Sequence, residues 1–143
     1  MTLIVLIILA TISYTLFDIF ASRAGGKIDA NLSSFVFNII GALLPLIIYG
    51  YLKFKKTGLI PTTSSGVVNS LLAGISIAIF SILLIKIFEK GGLAYVIPLI
   101  YGGSILLASL FGWLIFKESV SILQLVGIFV IVIGIGLVVY SKI

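Results

Sequence analysis

Few side chains in this 143-residue sequence could bind a ligand or transfer a proton, and most of them lie within long apolar segments. Carboxylates, amides and hydroxyls are costly in such segments unless they face a cavity or another helix, which makes them the candidates for function. The chain has no cysteine and no histidine, which removes thiolate chemistry and the commonest zinc and haem ligands. We therefore expect neither a metal nor a cofactor. The candidates are Ser13, Tyr14, Asp18, Asn38, Asn69, Ser76, Ser81, Lys86, Tyr95, Tyr101, Ser104 and Ser109.

Asp18 is the acidic residue closest to the middle of an apolar segment, about one turn inside the end of the first predicted helix. Proton-coupled pumps usually bury a carboxylate near the bilayer midplane. No acidic residue lies at that depth here, since Asp18 lies near the end of its helix and Glu118 lies at a segment end. Direct proton coupling through a buried acid is therefore disfavoured. Asp18 has two interpretations, a ligand-binding group or an interfacial residue paired with Arg23 or Lys27. Lys86 is expected to extend its ammonium group to the headgroups.

The charged residues divide the sequence into five long apolar runs. Charged side chains make up only 9% of the chain, against roughly 25% in soluble domains. A spanning helix needs about 20 apolar residues, so each run is long enough for one helix and too short for two. The runs lack the alternation of barrel strands, which leaves helices as the spanning form. The charge-free runs are 1–17, 30–52, 57–85, 91–116 and 119–141.

This pattern predicts an all-α membrane protein, a bundle of about five transmembrane helices that form a single domain over 1–143. The connections are too short to fold alone, so we do not expect an enzyme. Only residues 117–119 separate the fourth and fifth helices, which makes these two helices antiparallel neighbours. No positive charge precedes the first apolar run, so we expect a retained helix rather than a signal peptide. The helices are predicted at about 3–20, 33–54, 66–88, 93–116 and 120–141.

Small residues and prolines indicate how these helices begin, pack and bend. Gly127 and Gly134 share a face of the fifth helix, where they would allow another helix to approach closely. Pro98 should kink the fourth helix near one end. The kinked segment either lines a cavity or is a passive feature of packing. The second helix has three candidate N-caps, Asn31, Ser33 and Ser34.

The basic residues give the chain no preferred orientation. With five spans the termini lie on opposite sides, and four basic residues fall on the side of the N-terminus against five, including Lys142, on the other. Most membrane proteins orient themselves by a lysine and arginine bias. This balance favours insertion in both orientations, whereas chance in a short chain or orientation by a partner is the alternative. The net charge of +5 lies mainly at helix ends near the headgroups, so nucleic acid is not an expected partner.

The second half of the chain has a recognisable order of motifs. Residues 86–99 (KIFEKGGLAYVIPL) place a short glycine-containing turn before an Ala-x-x-x-Pro helix start. Residues 116–121 (FKESVS), 124–127 (QLVG) and 133–134 (IG) follow. This order resembles the EamA-type domain of the drug/metabolite transporter superfamily, in which a glutamate ends the fourth helix and a glycine-spaced fifth helix follows. The first two helices agree with the family only in length, order and the polar groups near the end of helix one.

The resemblance implies a fold and a site. Family members are typically ten-helix transporters built from two inverted five-helix halves, and this chain has the size of one half. A single half would rebuild that architecture as an antiparallel homodimer, in agreement with the balanced charges. In the family, helices one, three and four of each half line the central cavity. Carried over, this implies substrate contacts at Ser13, Tyr14, Phe17, Asp18, Phe80, Tyr101 and Ser104.

One departure narrows the expected function. Small multidrug exporters of the same superfamily have a glutamate within the first helix, where this chain offers only Ser13 and Tyr14 near the middle. That argues against proton-antiport drug export and favours a neutral or zwitterionic metabolite. The resemblance thus implies a plasma-membrane transporter subunit that moves a small organic metabolite by alternating access. The alternatives are a flippase-type subunit for a lipid-linked carrier and a non-transporting assembly subunit, and the lipid bilayer is a partner in each case.

Overall fold

The computed structural model describes residues 2–141. Five long apolar helices, joined by short connections, lie within this range. All five helices are long and apolar enough to cross a bilayer. They confirm the predicted all-α membrane fold, with no strand in the described residues. Lys142, which entered the charge comparison, lies outside these residues. The helices are α1 (Leu3–Ala24), α2 (Ala30–Lys55), α3 (Ser64–Phe88), α4 (Leu93–Leu114) and α5 (Ile122–Tyr140).

The start of α2 is fixed by Asp29. Its Oδ1 accepts hydrogen bonds from the backbone N–H groups of Asn31 at 2.9 Å and Leu32 at 3.1 Å. These groups have no partner within a helix, so the carboxylate satisfies donors that would otherwise need water. The hydrogen bond from Leu32 is the main reason why the pKa of Asp29 lies below its ordinary value, and the bond from Asn31 adds to it.

The expectation that Asn31, Ser33 or Ser34 caps α2 was wrong. Because Asp29 already provides the cap, the helix begins at Ala30 and takes both serines into its first turns, where they are buried. The same kind of cap begins two other helices. The side chain of Thr63 accepts from the N–H of Gly66 at α3, and the side chain of Ser121 accepts from the N–H of Gln124 at α5.

Contacts divide the chain into two units, of which one comprises residues 20–90. Within it α2 packs against α3. Leu84 and Ile85 of α3 are fully buried. The hydroxyls of Ser34 and Ser81 form a hydrogen bond with each other across the two helices. Asn38 donates its amide to the Ser81 hydroxyl at 3.1 Å, so three polar side chains connect α2 and α3.

The other unit comprises the described residues 2–19 and 91–141, and in it α4 packs against α5. This confirms the prediction that the two helices are neighbours. They approach closely at Gly102, where an added Cβ would lie 2.3 Å from Cδ1 of Ile135. The glycines expected to mediate close packing do not take part in this contact. A Cβ added at Gly127 or Gly134 would meet no atom within 4 Å in the structure.

The connection between α4 and α5 occupies residues 115–121 and is longer than predicted. Lys117 has a positive φ of 52°, a backbone conformation that ends regular helix. The following N–H, that of Glu118, donates to the carbonyl of Gly112 at 3.1 Å and folds the connection back on α4. As a result α4 ends at Leu114 and α5 begins at Ile122.

Apolar side chains cover most of the outer surface of the helices. On α2, Ile47 is 66% exposed, and on α5, Val130 is 60% exposed. A continuous apolar surface of this kind is unfavourable in water and is the normal lipid-facing surface of a spanning helix.

Candidate functional site

Asp18 of α1 and Tyr101 of α4 form a hydrogen-bonded pair within the unit of residues 2–19 and 91–141. The Tyr101 hydroxyl donates to Oδ1 of Asp18 at 2.8 Å and to Oδ2 at 2.9 Å. Asp18 is only 3% exposed. An ionised carboxylate can only accept hydrogen bonds, and a buried one needs a donor to offset its lost hydration. Asp18 was interpreted either as a ligand-binding group or as an interfacial residue paired with Arg23 or Lys27. In the structure the hydrogen-bond partner of its carboxylate is the Tyr101 hydroxyl.

This pair lies in the wall of a cavity of about 600 Å³, here called the α1–α4 cavity. On each helix the lining positions recur every three or four residues, some as adjacent pairs, so they share one helical face. The helix α1 provides Ala10, Thr11, Tyr14, Thr15 and Asp18. The helix α4 provides Leu93, Ala94, Ile97, Pro98 and Tyr101.

Two tyrosine rings form the aromatic part of the α1–α4 cavity. The rings of Tyr14 and Tyr101 have centroids 5.3 Å apart and are tilted by 59°. Tyr14 also contacts Phe17, with ring centroids 5.7 Å apart. These separations are those of favourable tilted aromatic pairs, which hold the rings in place beside the carboxylate.

The threonines of the α1–α4 cavity direct their hydroxyl protons to the backbone. Thr11 donates to the carbonyl of Ile7 at 2.8 Å, and Thr15 donates to the carbonyl of Thr11 at 2.9 Å. On α4, Pro98 has no N–H and so donates no hydrogen bond to the carbonyl of Ala94. Both Ala94 and Pro98 line the cavity. The hydroxyl protons of Thr11 and Thr15 are therefore already used within α1.

The structure brings together three of the seven side chains expected to contact substrate. Tyr14, Asp18 and Tyr101 line the α1–α4 cavity, and Phe17 supports it through Tyr14. Ser13 does not line the cavity; it is exposed and donates its hydroxyl to the carbonyl of Leu9.

Two other expected residues lie elsewhere. Ser104 is exposed and donates its hydroxyl to the carbonyl of Tyr101. Phe80 belongs to α3, in the unit of residues 20–90. Sequence reasoning missed Thr11 and Thr15, although their spacing from Asp18 places them on its helical face. The acidic side chains of the described residues form no cluster of three that could hold a metal ion.

The helices are long and apolar enough to cross a membrane, and the α1–α4 cavity lies between two of them. The model of the EamA-like transporter family matches residues 1–140. The chain belongs to this family. Membership confirms the resemblance to the drug/metabolite transporters and makes this a membrane transporter-like protein. No curated protein and no solved structure is significantly similar to this EamA-like chain.

Proposed function

We propose that this EamA-like chain is a transporter subunit that binds a small organic metabolite in the α1–α4 cavity and moves it by alternating access. The observation that supports the proposal is a buried carboxylate, paired with Tyr101, beside two aromatic rings. The cavity of about 600 Å³ lies in the range of sites that hold small molecules, roughly 300–1,000 Å³. An ionisable side chain within a spanning helix is costly and normally serves a substrate or ion pathway.

The proposal includes a second copy of the chain in the opposite orientation, in the plasma membrane. Two considerations support this assembly. The basic residues divide four against five between the two sides, which leaves both orientations accessible. Transporters built from inverted repeats place their site between two oppositely oriented halves, and a five-helix chain supplies one such half. A homodimer with a two-fold axis in the membrane plane would supply both.

Labelling of single cysteines tests whether the α1–α4 cavity is a water-accessible pathway. The native chain has no cysteine, so each variant contains one reactive thiol. Ala10→Cys and Ile97→Cys place the thiol in the cavity wall, and Val130→Cys places it on the exposed apolar surface of α5 as a control. We expect a membrane-impermeant maleimide, added to opened membranes, to label the two cavity variants and not the control. Complete protection of both cavity thiols would refute the proposed pathway.

A further inference from the structure

The α1–α4 cavity has a single sign of charge. Asp18 is the one charged residue among the described residues that line the cavity, and no lysine or arginine lines it with Asp18. Its carboxylate is largely removed from solvent, so water screens its charge poorly. The cavity therefore attracts a positive group and repels a negative one.

The hydrogen-bonding capacity of the cavity has the same bias. A carboxylate has about four acceptor positions, and the Tyr101 hydroxyl supplies Asp18 with one proton that both oxygens share. The hydroxyl protons of Thr11 and Thr15 are already donated to backbone carbonyls. Tyr14 also lines the cavity, and the hydrogen bonds to the Asp18 oxygens come from Tyr101. Asp18 thus keeps acceptor positions that a ligand with several N–H groups would fill.

The aromatic rings complete a site for an ammonium group. Tyr14 and Tyr101 lie on the two helices that form the cavity, with their centroids 5.3 Å apart. An ammonium group near the face of such a ring is attracted by the ring quadrupole, most strongly where water is excluded. The apolar remainder of the wall, including Ile97 and Pro98, suits the uncharged body of a ligand.

We propose that the α1–α4 cavity selects a cargo with a protonated amine attached to an apolar or aromatic body, and that Asp18 is the counter-ion of that amine. The proposal rests on the function proposed above for the same cavity. A cavity with this preference does not bind phosphorylated or other anionic cargo, because such cargo needs arginine or lysine partners. Tyr101 is a positioning residue: its hydroxyl donates to Asp18 while the cavity is empty and competes with the ammonium for the same oxygens.

A matched set of three ligands tests the charge preference directly. 2-Phenylethylamine, 2-phenylethanol and phenylacetate present a cation, a neutral group and an anion on similar bodies. Equilibrium dialysis at neutral pH, with the full chain in a non-ionic detergent, gives the three affinities. We expect the amine to bind at least about tenfold more tightly than the alcohol, because hydrogen bonds to charged groups contribute more than neutral ones. Phenylacetate should bind most weakly.

Two isosteric substitutions assign this preference to one carboxylate. Asp18→Asn removes the charge and should bring the affinity ratio of amine to alcohol close to one. Asp29→Asn is the matched control, because Asp29 caps α2 and does not line the cavity, and the ratio should be unchanged. Tyr101→Phe removes the hydroxyl that competes with the ligand for the Asp18 oxygens. Binding of the amine should become tighter, by a factor at least as large as any gain for the alcohol.

The outcomes separate this inference from the proposed function. Equal affinities for amine and alcohol in the native chain overturn the cation preference, whether or not the variants fold. Tightest binding of phenylacetate also overturns it and favours an anionic or lipid-phosphate cargo. Failure of all three to bind, together with labelling of Ala10→Cys, overturns the cation preference alone. The same failure with a protected Ala10→Cys thiol overturns the proposed function as well.

Discussion

Replacing Gly102 by alanine tests the close packing of α4 on α5. The added Cβ would lie 2.3 Å from Cδ1 and 2.7 Å from Cγ1 of Ile135, whereas non-bonded carbon atoms prefer about 3.5–4.0 Å. Both atoms move together only if Ile135 changes its χ1 rotamer or the helices separate, and a β-branched residue in a helix has one strongly preferred rotamer. Overpacking of this kind typically costs about 1–3 kcal/mol. That is about a 5- to 150-fold shift towards the unfolded state.

Gly103→Ala is the matched control for this experiment. A Cβ at Gly103 would meet no atom within 4 Å. Both substitutions gain the same helix propensity, so the difference between them isolates the contact with Ile135. Titration with sodium dodecyl sulfate in mixed micelles, followed by far-UV circular dichroism, gives the relative free energies of unfolding. We expect Gly102→Ala to be less stable than both the native chain and Gly103→Ala.

A double-mutant cycle identifies the partner. Ile135→Ala removes the two atoms that the added Cβ would overlap and leaves only the ordinary contact with Cγ2 of Ile131 at 3.8 Å. Gly102→Ala should therefore cost much less in the Ile135→Ala background than in the native chain, which is a favourable coupling energy. Equal unfolding midpoints for Gly102→Ala and Gly103→Ala, or a cycle without coupling, would refute the argument that Gly102 sets the approach of α4 to α5.

Ser81→Ala should destabilise the chain, because the Ser81 hydroxyl is bonded to Ser34 and Asn38. Hydrogen bonds between membrane helices contribute about 0.6 kcal/mol on average and at most about 1.7 kcal/mol, which sets the expected loss. A detergent unfolding curve no different from that of Ser76→Ala would contradict this. The pKa of Asp29 is lowered in the folded chain, so its carboxylate stabilises the fold fully at pH values above the ordinary aspartate pKa. This stabilisation should be lost as the pH falls through the folded pKa. Asp29→Ala should flatten this part of the curve of unfolding free energy against pH. Two arginines added to the α2–α3 connection should fix the chain in one orientation, which paired C-terminal reporters would detect. A single orientation should reduce transport, because the antiparallel dimer needs both. Undiminished transport by a uniformly oriented population would exclude the antiparallel assembly.

The number and type of the helices could be predicted because lipid imposes a simple rule. Charged side chains are costly in the hydrocarbon, so most of them lie near the helix ends and separate the five spans. The residue at which each helix begins was harder to predict from the sequence. Asp29 was counted as a charge that ends an apolar run, whereas its short side chain also satisfies the first N–H groups of α2. Its role depends on local backbone geometry that the charge pattern does not contain.

The candidate site was only partly predictable for a different reason. Tyr14, Asp18 and Tyr101 could be singled out because polar groups are rare in apolar runs. Their mutual arrangement could not, because Asp18 and Tyr101 are separated by 83 positions and their contact depends on how α1 meets α4. Gly102 shows the same limit. Glycine spacing favoured Gly127, but which glycine faces a large neighbour is decided by helix rotation in the packed unit.

The hydroxyls that bond to their own helix have a consequence for biogenesis. Thr11, Thr15 and Ser13 on α1, like Ser76 on α3, donate to the carbonyl four residues earlier. A helix that satisfies its own hydroxyls presents little polarity to the lateral gate of an insertion machine. These hydroxyls therefore need no neighbouring helix when the span enters lipid. Asp18 on α1 differs, because its donor Tyr101 is available only after α4 has been synthesised. Insertion of α1 and burial of its carboxylate are thus separate steps.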